Sequence, residues 1–428
     1  MPALRQALHV FTKRSQVTVT GSKSINSIMF SLVQGNLPKI SKFNVSLMGC
    51  GHFCSDFYTN LLPIMLPLLA EKFQLSYSEC GALFMIFSVS MNFIQPPVGV
   101  FADKHNVNYL MPLSIITGAT LACSVGICSN FYLLLLIVLL SGICSSGFHP
   151  IAGGVIPLIS TPKHQVMATS IFIAGGNLGF AVAPLITAYF LKQFGIDNLL
   201  YLAIPAFIVT IFMMQRNLHI KAPVSKNTHI PDIKEMLTNK PLVWFSLSIG
   251  FRSWCYCSLL IYLPLLLNSR GVDSIHGATA LMVLLLGTVF GGLATGGMAT
   301  RFGLKRVILI SYIVTFVSAC VFIYNPSLSV ISYTALFMTG AGMYGSTPVA
   351  IVWAQRLLYK SAALATSIML GFTFGLGYIA SLITGVAGDF LGLQIGIAVT
   401  ILPATVIAAI ILLMLKEPAS PDIELNSK

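Results

Sequence analysis

Four ionisable side chains lie inside long apolar stretches of the chain: His52, Asp56, His149 and Arg252. An ionisable group surrounded by hydrocarbon costs about 3 kcal/mol or more, so such residues are candidates for function. His52 and Asp56 are four residues apart, which places them on one helix face about 6 Å apart along its axis. Carboxylate and imidazole groups in this setting are typical of proton relays. The pair therefore predicts proton coupling at Asp56, with His52 as its neighbour.

The roles of the other two charged groups stay open at this level. Arg252 either anchors an anion or forms a permanent ion pair with Asp56 that holds two parts of the chain together. His149 precedes Pro150 and either contacts a solute or forms a hydrogen bond between helices. A His and an Asp could also form half of a metal site, but no further ligands are fixed by spacing. We therefore predict no metal.

Several neutral side chains in apolar segments could face a polar path. Each amide could equally bind a neighbouring helix, and each aromatic ring could equally belong to the packed core. The candidates for substrate binding, besides Arg252 and His149, are Tyr58, Asn92, Gln95, Asn177, Trp353 and Gln355.

The composition requires a lipid environment. The chain has 428 residues, of which 56% are hydrophobic and 8% are charged, whereas soluble domains carry about 25% charged residues. Apolar stretches of about 20 residues recur, which is the length needed to cross a roughly 30 Å hydrocarbon core as a helix. No nucleotide-binding or hydrolase motif occurs in a plausible context. We therefore expect neither an enzyme nor a cofactor, and we expect energy to come from an ion or solute gradient.

The hydropathy pattern predicts an all-α membrane protein with twelve transmembrane helices in two halves of six. A polar segment at 217–241 separates the halves, so the predicted bundles are 45–216 and 242–416. The predicted helices are 45–69, 80–101, 109–128, 131–158, 165–191, 198–216, 242–267, 277–299, 306–324, 328–353, 362–388 and 392–415.

The basic residues predict the orientation of these helices. Of the 24 Lys and Arg residues, Lys72, Lys192 and Arg270 fall in the predicted outer loops and Arg252 falls within a helix. The other 20 lie on the side of the termini. Because Lys and Arg accumulate on the cytoplasmic side of membrane proteins, both termini are predicted to be cytoplasmic. The formal net charge of +12 then reflects orientation, and nucleic acid is not expected as a partner.

The two halves repeat one another at an offset of 197 residues. Leu66-Pro67-Leu68-Leu69 recurs as Leu263-Pro264-Leu265-Leu266, and Ala168-Thr169-Ser170 recurs as Ala365-Thr366-Ser367. The same offset relates Ser55, beside Asp56, to Arg252. Paired six-helix repeats with a solute site between them are typical of secondary transporters.

The two ends of the chain are predicted to lie outside the bundles. Residues 1–44 are basic and contain no acid, which favours a disordered cytoplasmic tail or an over-extended start, although an organelle transit peptide has similar composition. Residues 417–428 are predicted to form a second disordered tail.

A loop after the second predicted helix contains Gly99, Asp103 and Lys104, and its repeat contains Gly296 and Arg301. Gly permits close helix approach, and Asp can cap a helix or pair with a basic group. The pattern predicts a gating loop, since simple anchoring by positive charge explains neither the Gly nor the Asp.

This loop resembles the loop motif of the major facilitator superfamily, and further stretches resemble its fosmidomycin-resistance branch. They are His52-x-x-x-Asp56, Gln95-Pro96-x-Val98-Gly99, Gly147-Phe148-His149-Pro150, Gly175-Gly176-Asn177-x-Gly179, and Ala354-Gln355, with Arg252 where that branch has a Lys. The resemblance runs from about residue 47 to residue 415. It implies a twelve-helix transporter that exports a drug or metabolite in exchange for protons.

The chain departs from that branch in two places. Ile151 stands where a Glu usually follows Phe-His-Pro, and Arg356 stands where an acid follows Ala-Gln. Both changes remove a carboxylate near the expected path, so the solute of the branch does not carry over directly.

The predicted function is secondary active transport, with proton-coupled export of a small organic drug or metabolite as the first hypothesis. The alternatives are an importer or exporter of a nutrient or siderophore-like metabolite, and a non-transporting membrane receptor or sensor. The expected partners are a small-molecule solute, protons and the lipid bilayer. The expected form is a monomer in the plasma membrane, which in bacteria is the inner membrane.

Overall fold

A computed structural model describes residues 42–105, 107, 109–156, 159–160, 165–216, 218, 238–325, 327–358 and 368–418. The side chains of Val100, Asp103, Lys104, Gln165, Val166 and Leu370 are outside that description. Within the described residues, twelve helical segments are long and apolar enough to cross a membrane. The predicted all-α architecture of twelve transmembrane helices is thereby confirmed.

The first half contains six spans. Its helices are α1 (Lys42–Thr59), α2 (Leu62–Phe73), α3 (Tyr77–Lys104), α4 (Leu110–Ser124), α5 (Phe131–Ser145), α6 (Phe148–Val155), α7 (Gln165–Phe194) and α8 (Ile204–Gln215). The pairs α1–α2 and α5–α6 each form one span, and a 3₁₀ segment, Ile196–Ala203, leads into α8.

The second half contains the other six spans. Its helices are α9 (Lys240–Ser269), α10 (Ser274–Phe302), α11 (Leu304–Tyr324), α12 (Val330–Gly345), α13 (Thr347–Leu357), α14 (Thr373–Leu391) and α15 (Leu393–Met414). A π-helical turn, Ile368–Phe372, precedes α14. Because the number of described spans is even, Lys42 and Met414 lie at the same membrane face, which we call the first face.

Three spans that were predicted as single helices are interrupted. The first breaks between α1 and α2, where Pro63 occupies the first turn of α2. The fourth breaks between α5 and α6 just before Pro150, and the tenth breaks between α12 and α13 just before Pro348. Proline lacks an amide hydrogen and clashes with the preceding turn. The matching breaks in the fourth and tenth spans follow the repeat seen in the sequence.

The predicted ends of the bundles shift by a few residues. α1 begins at Lys42, inside the segment that was predicted to be a tail, while residues 1–41 lie outside the described chain. Of the predicted linker, only residues 218 and 238–241 are described. At the other end, Glu417 is ordered: its carboxylate accepts hydrogen bonds from the amides of Leu304 (2.9 Å) and Lys305 (3.0 Å). Acidic groups are favourable at a helix N-terminus, so this part of the tail is anchored to α11.

Glycine allows α10 and α12 to touch through their backbones. A Cβ added to Gly287 or Gly291 would overlap backbone atoms of Phe337 or Ala341, and one added to Gly340 would overlap the backbone of Leu284. Lipid offers no hydrophobic drive for helix association, so close backbone packing of this kind contributes much of the stability. By contrast, a Cβ at Gly297 would meet nothing within 4 Å.

We predict that Gly291→Ala lowers the melting temperature of the purified protein, because overpacking costs about 1–3 kcal/mol. Gly297→Ala is the matched control in the same helix. It should leave the melting temperature unchanged or raise it slightly, since Ala is favoured over Gly in a helix by about 0.5–1 kcal/mol. Thermal unfolding in detergent measures both, and equal melting temperatures for the two variants would contradict the packing assignment.

Candidate functional site

Asp56 forms the centre of the site and is held between two imidazoles. Its Oδ2 lies 3.2 Å from Nε2 of His52, one turn earlier on α1, and its Oδ1 lies 3.0 Å from Nε2 of His149 on α6. The Asp56 side chain is 16% exposed. His149, predicted to contact either a solute or another helix, therefore binds the carboxylate directly. We call these three residues the Asp56 cluster.

The ring of His52 is fixed from both sides. Its Nδ1 lies 2.8 Å from the carbonyl oxygen of Phe172 on α7, and it stacks on the Phe172 ring with centroids 4.0 Å apart. A Cβ at Gly176 would overlap the imidazole, and Cβ atoms at Gly175 and Gly179 would overlap the α1 backbone. The Gly-Gly-Asn-x-Gly stretch is thus the surface on which α1 and the His52 ring rest.

The contact with the Phe172 carbonyl fixes the position of one hydrogen in the cluster. A carbonyl oxygen only accepts, so Nδ1 of His52 carries a hydrogen and donates it to Phe172. If His52 is neutral, its Nε2 is then an acceptor, and the 3.2 Å contact with Asp56 requires one more proton. That proton makes either an imidazolium beside a carboxylate or a neutral imidazole beside a carboxylic acid. In both cases the pair is neutral overall and contains one transferable proton.

His149 connects this pair to a cavity. Its side chain is 31% exposed and lines the cavity together with Asp56. His149 donates from Nε2 to Asp56, while its Nδ1 is a buried polar atom without a hydrogen-bond partner among the described residues.

The cavity lies between the two halves and has a volume of about 270 Å³. Small-molecule pockets typically measure 300–1,000 Å³, so the space suits a small solute. The first half contributes most of its polar wall, formed by Asp56, Thr59, Asn92, Gln95, His149 and Asn177.

The second half contributes an aromatic wall. Tyr256 of α9, Tyr344 of α12 and Phe374 of α14 line the cavity, and their ring centroids lie 5.2–6.0 Å apart. Tyr378 extends this surface by one turn of α14. Sequence reasoning missed these rings. The available signal was weak: Tyr256 lies one turn after Arg252, but nothing local relates it to Tyr344 or Phe374.

Arg252 lies behind the aromatic wall and does not reach Asp56. It is 1% exposed; its Nη1 donates to the carbonyl oxygen of Met343 (2.6 Å) and to Oγ1 of Thr347 (2.7 Å). The guanidinium carbon lies 6.0 Å and 5.7 Å from the ring centroids of Tyr344 and Phe374. Among the described residues no carboxylate pairs with it, and its Nε has no partner. The ion pair with Asp56, one of the two alternatives for Arg252, is therefore absent from this conformation.

The remaining predicted residues separate into two groups. Asn92, Gln95 and Asn177 line the cavity. Tyr58 does not: its hydroxyl donates to the carbonyl oxygen of Leu202 inside the first half. Trp353 is 1% exposed and stacks on Phe245, and the partly buried Gln355 follows it on α13 away from the cavity lining.

The gating-loop residues show no tight packing. The Cβ position of Gly99 is in ordinary contact with Pro150, and that of Gly296 meets nothing within 4 Å. Arg301 is exposed, with its guanidinium 5.4 Å from the ring of Phe302. The side chains of Asp103 and Lys104, on which the predicted cap or ion pair depends, lie outside the described set.

The two departures from the family motifs lie away from the aromatic and polar walls. Ile151 is 3% exposed in the core of the first half. Arg356 donates from Nη1 to the carbonyl oxygen of Pro418 (3.3 Å) and lies 3.9 Å from the carboxylate of Glu417. Arg356 therefore helps to hold the C-terminal segment, and neither residue lines the cavity.

The Asp56 cluster has the donor set of a possible metal site, because its three ligand atoms lie within 4.8 Å of one another. The imidazole–carboxylate contacts satisfy one another without an ion, however. The absence of a metal from the mechanism stays a prediction, which a chelator control tests below.

Comparison with known proteins agrees with this architecture. The family model described as Major Facilitator Superfamily matches residues 48–381. The chain is 25% identical to the fosmidomycin resistance protein of Escherichia coli (strain K12), covering 80% of this chain and 86% of that protein. It is 26% identical to the uncharacterized MFS-type transporter YfnC of Bacillus subtilis (strain 168), covering 86% and 91%. The resemblance inferred from the motifs is thereby confirmed.

Solved structures of low sequence identity share the fold. The nucleoside transporter NupG aligns with a TM-score of 0.72 at 16% identity, over 88% of this chain and all of that one. A bacterial homolog to the human lysosomal transporter Spinster, in an inward-facing and occupied conformation, aligns with a TM-score of 0.68 at 18% identity, over 90% of this chain and all of that one.

Proposed function

The chain belongs to the Major Facilitator Superfamily, and from this premise we propose that it is a secondary active transporter that moves a small organic solute by alternating access, coupled to protons. Its place is the plasma membrane, with the first face in the cytoplasm, because most Lys and Arg residues lie on that side. The observation that carries the proposal is the Asp56 cluster, a carboxylate between two imidazoles in the wall of a cavity that separates the two halves.

The proposed proton coupling is supported by the proton that His52 and Asp56 can share. The cluster is neutral while His52 and Asp56 share that proton, and it becomes negative when the proton leaves. His149 lies between Asp56 and the cavity, so it offers a route by which a proton can enter or leave. Because a charge in this environment is costly, the protonation state changes the free energy of each conformation and links proton movement to solute movement.

The lining of the cavity indicates the kind of solute. The polar wall offers amide, hydroxyl and imidazole groups on one side, and the aromatic wall offers three rings in tilted and edge-to-face contact on the other. A small molecule with a flat apolar part and several hydrogen-bonding groups fits between them. Behind the rings, Arg252 contributes a positive charge that no carboxylate among the described residues offsets, which favours an anionic group on the solute.

Two directions of transport are candidates. Export of a drug or metabolite is favoured by similarity to the fosmidomycin resistance protein. Uptake together with protons is favoured by the charges, since an anion binds best while the Asp56 cluster holds its proton and is neutral. The two directions are distinguished by the sign of the pH gradient that drives accumulation of the solute in vesicles. Export requires that the solute exchanges for protons, and uptake requires that it moves together with protons.

The solute can be identified by comparing the accumulation of metabolites and drugs in cells with and without the gene. Purified protein in proteoliposomes then measures the flux of that solute under an imposed pH gradient. No difference in any solute between the two kinds of cell, and no flux in vesicles, would favour the receptor alternative.

We predict that Asp56→Asn reduces proton-driven flux to background, because an amide cannot take up and release the proton. Solute exchange across vesicles without a pH gradient should remain, since it needs no net proton release. Asp273→Asn is the matched control: Asp273 caps α10 in an exposed position, and Asn also caps helices well.

Unchanged proton-driven flux in the Asp56→Asn protein would remove Asp56 from the mechanism. A chelator should leave the flux of the unmodified protein unaltered. Loss of flux on chelation, restored by a transition metal, would replace the proton role with a metal role.

We predict that Arg252→Gln weakens binding of an anionic solute about thirtyfold and changes binding of its neutral amide analogue less than threefold. The Arg252 guanidinium and an anionic group of the solute about 9 Å away, at an effective dielectric constant of about 20, attract each other by roughly 2 kcal/mol. Loss of this attraction corresponds to the thirtyfold weakening of anion binding. Arg252→Lys should retain the preference for the anion. Equal weakening of both solutes by the Gln variant would indicate that Arg252 serves only to hold α9 against α12 and α13.

A further inference from the structure

Asp389, near the end of α14, joins the second half to the start of α3 in the first half. Its Oδ1 accepts a hydrogen bond from the amide of Tyr77 (2.7 Å), and its Oδ2 accepts one from the amide of Ser78 (3.0 Å). The first amides of a helix have no partner within the helix, and the positive end of the helix dipole attracts a carboxylate. The two halves are therefore linked by a charged group that is 311 residues from its nearer partner.

The capping groups of the first half do not bind the amides of Tyr77 and Ser78. Ser76 and Glu79 form a capping box, in which the Ser76 hydroxyl accepts from the Glu79 amide (3.2 Å) and the Glu79 carboxylate accepts from the Ser76 amide (2.8 Å). The amides of Tyr77 and Ser78 remain, and Asp389 binds both. Glu79 and Asp389 thus both cap the N-terminus of α3. Glu79 does so from within the first half, and Asp389 does so from the second half.

Beneath Asp389 the halves meet with little free space. The hydroxyl of Tyr262 on α9 donates to the carbonyl oxygen of Ser381 on α14 (3.0 Å). A Cβ at Gly81 or Gly385 would overlap that hydroxyl. Tyr262 is fully buried, so this contact closes the path between the halves.

The contact separates two cavities. The solute cavity is lined by the later part of α3 and the beginning of α14, both towards the first face. A second cavity of about 350 Å³ lies at the opposite face and includes Glu71, Asn268 and Asp389 in its lining. Within the described chain, no residue lines both cavities. The solute cavity is thus closed towards the face at which Asp389 is exposed.

We propose that Asp389 is a positioning residue that holds this gate closed and must release the α3 amides each time the transporter opens to the opposite face. The carboxylate is exposed to the second cavity, so water can replace the amides when the halves separate. This role rests on the proposed transport cycle, but its test needs no known solute.

Cys80 is a native reporter for the gate. It lies one turn into α3, is fully buried, and precedes Gly81, whose Cβ position would overlap the Tyr262 hydroxyl. Cys123, near the end of α4 at the same membrane face, is also fully buried, but it belongs to the core of the first half. Opening of the gate exposes Cys80, whereas unfolding of the first half exposes both cysteines.

The experiment measures labelling of Cys80 and Cys123 by a membrane-impermeant maleimide that is added to the side opposite the termini in intact cells. Peptide mass spectrometry then gives the labelled fraction of each cysteine over time. Asp389→Ala, which removes both acceptor oxygens, should raise the rate at Cys80 about 3–30-fold, as expected from loss of one charged contact at a helix N-terminus, and should leave Cys123 unlabelled. Asp389→Asn, which keeps one acceptor oxygen, should give a smaller increase. Glu79→Gln, the matched control, should leave the rate at Cys80 within twofold of that of the unmodified protein.

Unchanged labelling of Cys80 in both Asp389 variants would overturn the proposal, as would an equal increase in Glu79→Gln. A parallel increase at Cys123 would also overturn it, because Asp389 would then stabilise the fold and not the gate. Failure of proton-driven flux in vesicles would leave these labelling outcomes unchanged, so the two proposals can fail separately.

Discussion

The carboxylate of Asp56 is the group on which the rest of the site depends. It lies within a membrane-spanning helix, where an isolated negative charge is costly, and it persists because His52 and His149 both approach it. These contacts bring together α1 and α6, and the bond from His52 to the Phe172 carbonyl adds α7. Three helices are thus oriented around one charge. The same contacts place the carboxylate in the wall of a cavity between the halves, and the proposed proton coupling rests on this arrangement.

Glycine makes this arrangement sterically possible. The α7 glycines let the α1 backbone and the His52 ring approach closely, and the α10 and α12 glycines do the same in the second half. Small residues at helix interfaces are a general feature of membrane proteins, but each has a specific consequence here. Gly176 leaves the space that the imidazole occupies, and Gly81 and Gly385 leave the space that the Tyr262 hydroxyl occupies. One kind of residue thereby makes room for both the Asp56 cluster and the Tyr262 contact.

The two halves share a repeat and differ in chemistry. Both interrupt their fourth helix before a proline, and Ser55 of the first half corresponds to Arg252 of the second at the 197-residue offset. The first half places its charged groups at the cavity, whereas the second covers its charge with Tyr344 and Phe374. The cavity therefore has a polar wall from one half opposite an aromatic wall from the other.

Composition and local spacing alone were enough to identify the lipid-embedded helices, the division into halves and the pairing of His52 with Asp56, while the family resemblance came from the motifs. Hydrocarbon offers no hydrogen bonds to a backbone, so length and hydropathy determine which segments span the bilayer, and helical periodicity relates residues four apart. The tertiary structure determined the remaining contacts of the site. His149 binds Asp56 from another helix, and Arg252 lies behind the aromatic rings that line the cavity. Trp353 packs on Phe245, and Asp389 caps a helix more than 300 residues away in the sequence. Contacts between helices depend on their crossing and rotation, which residues distant in sequence determine together and which no local pattern reveals.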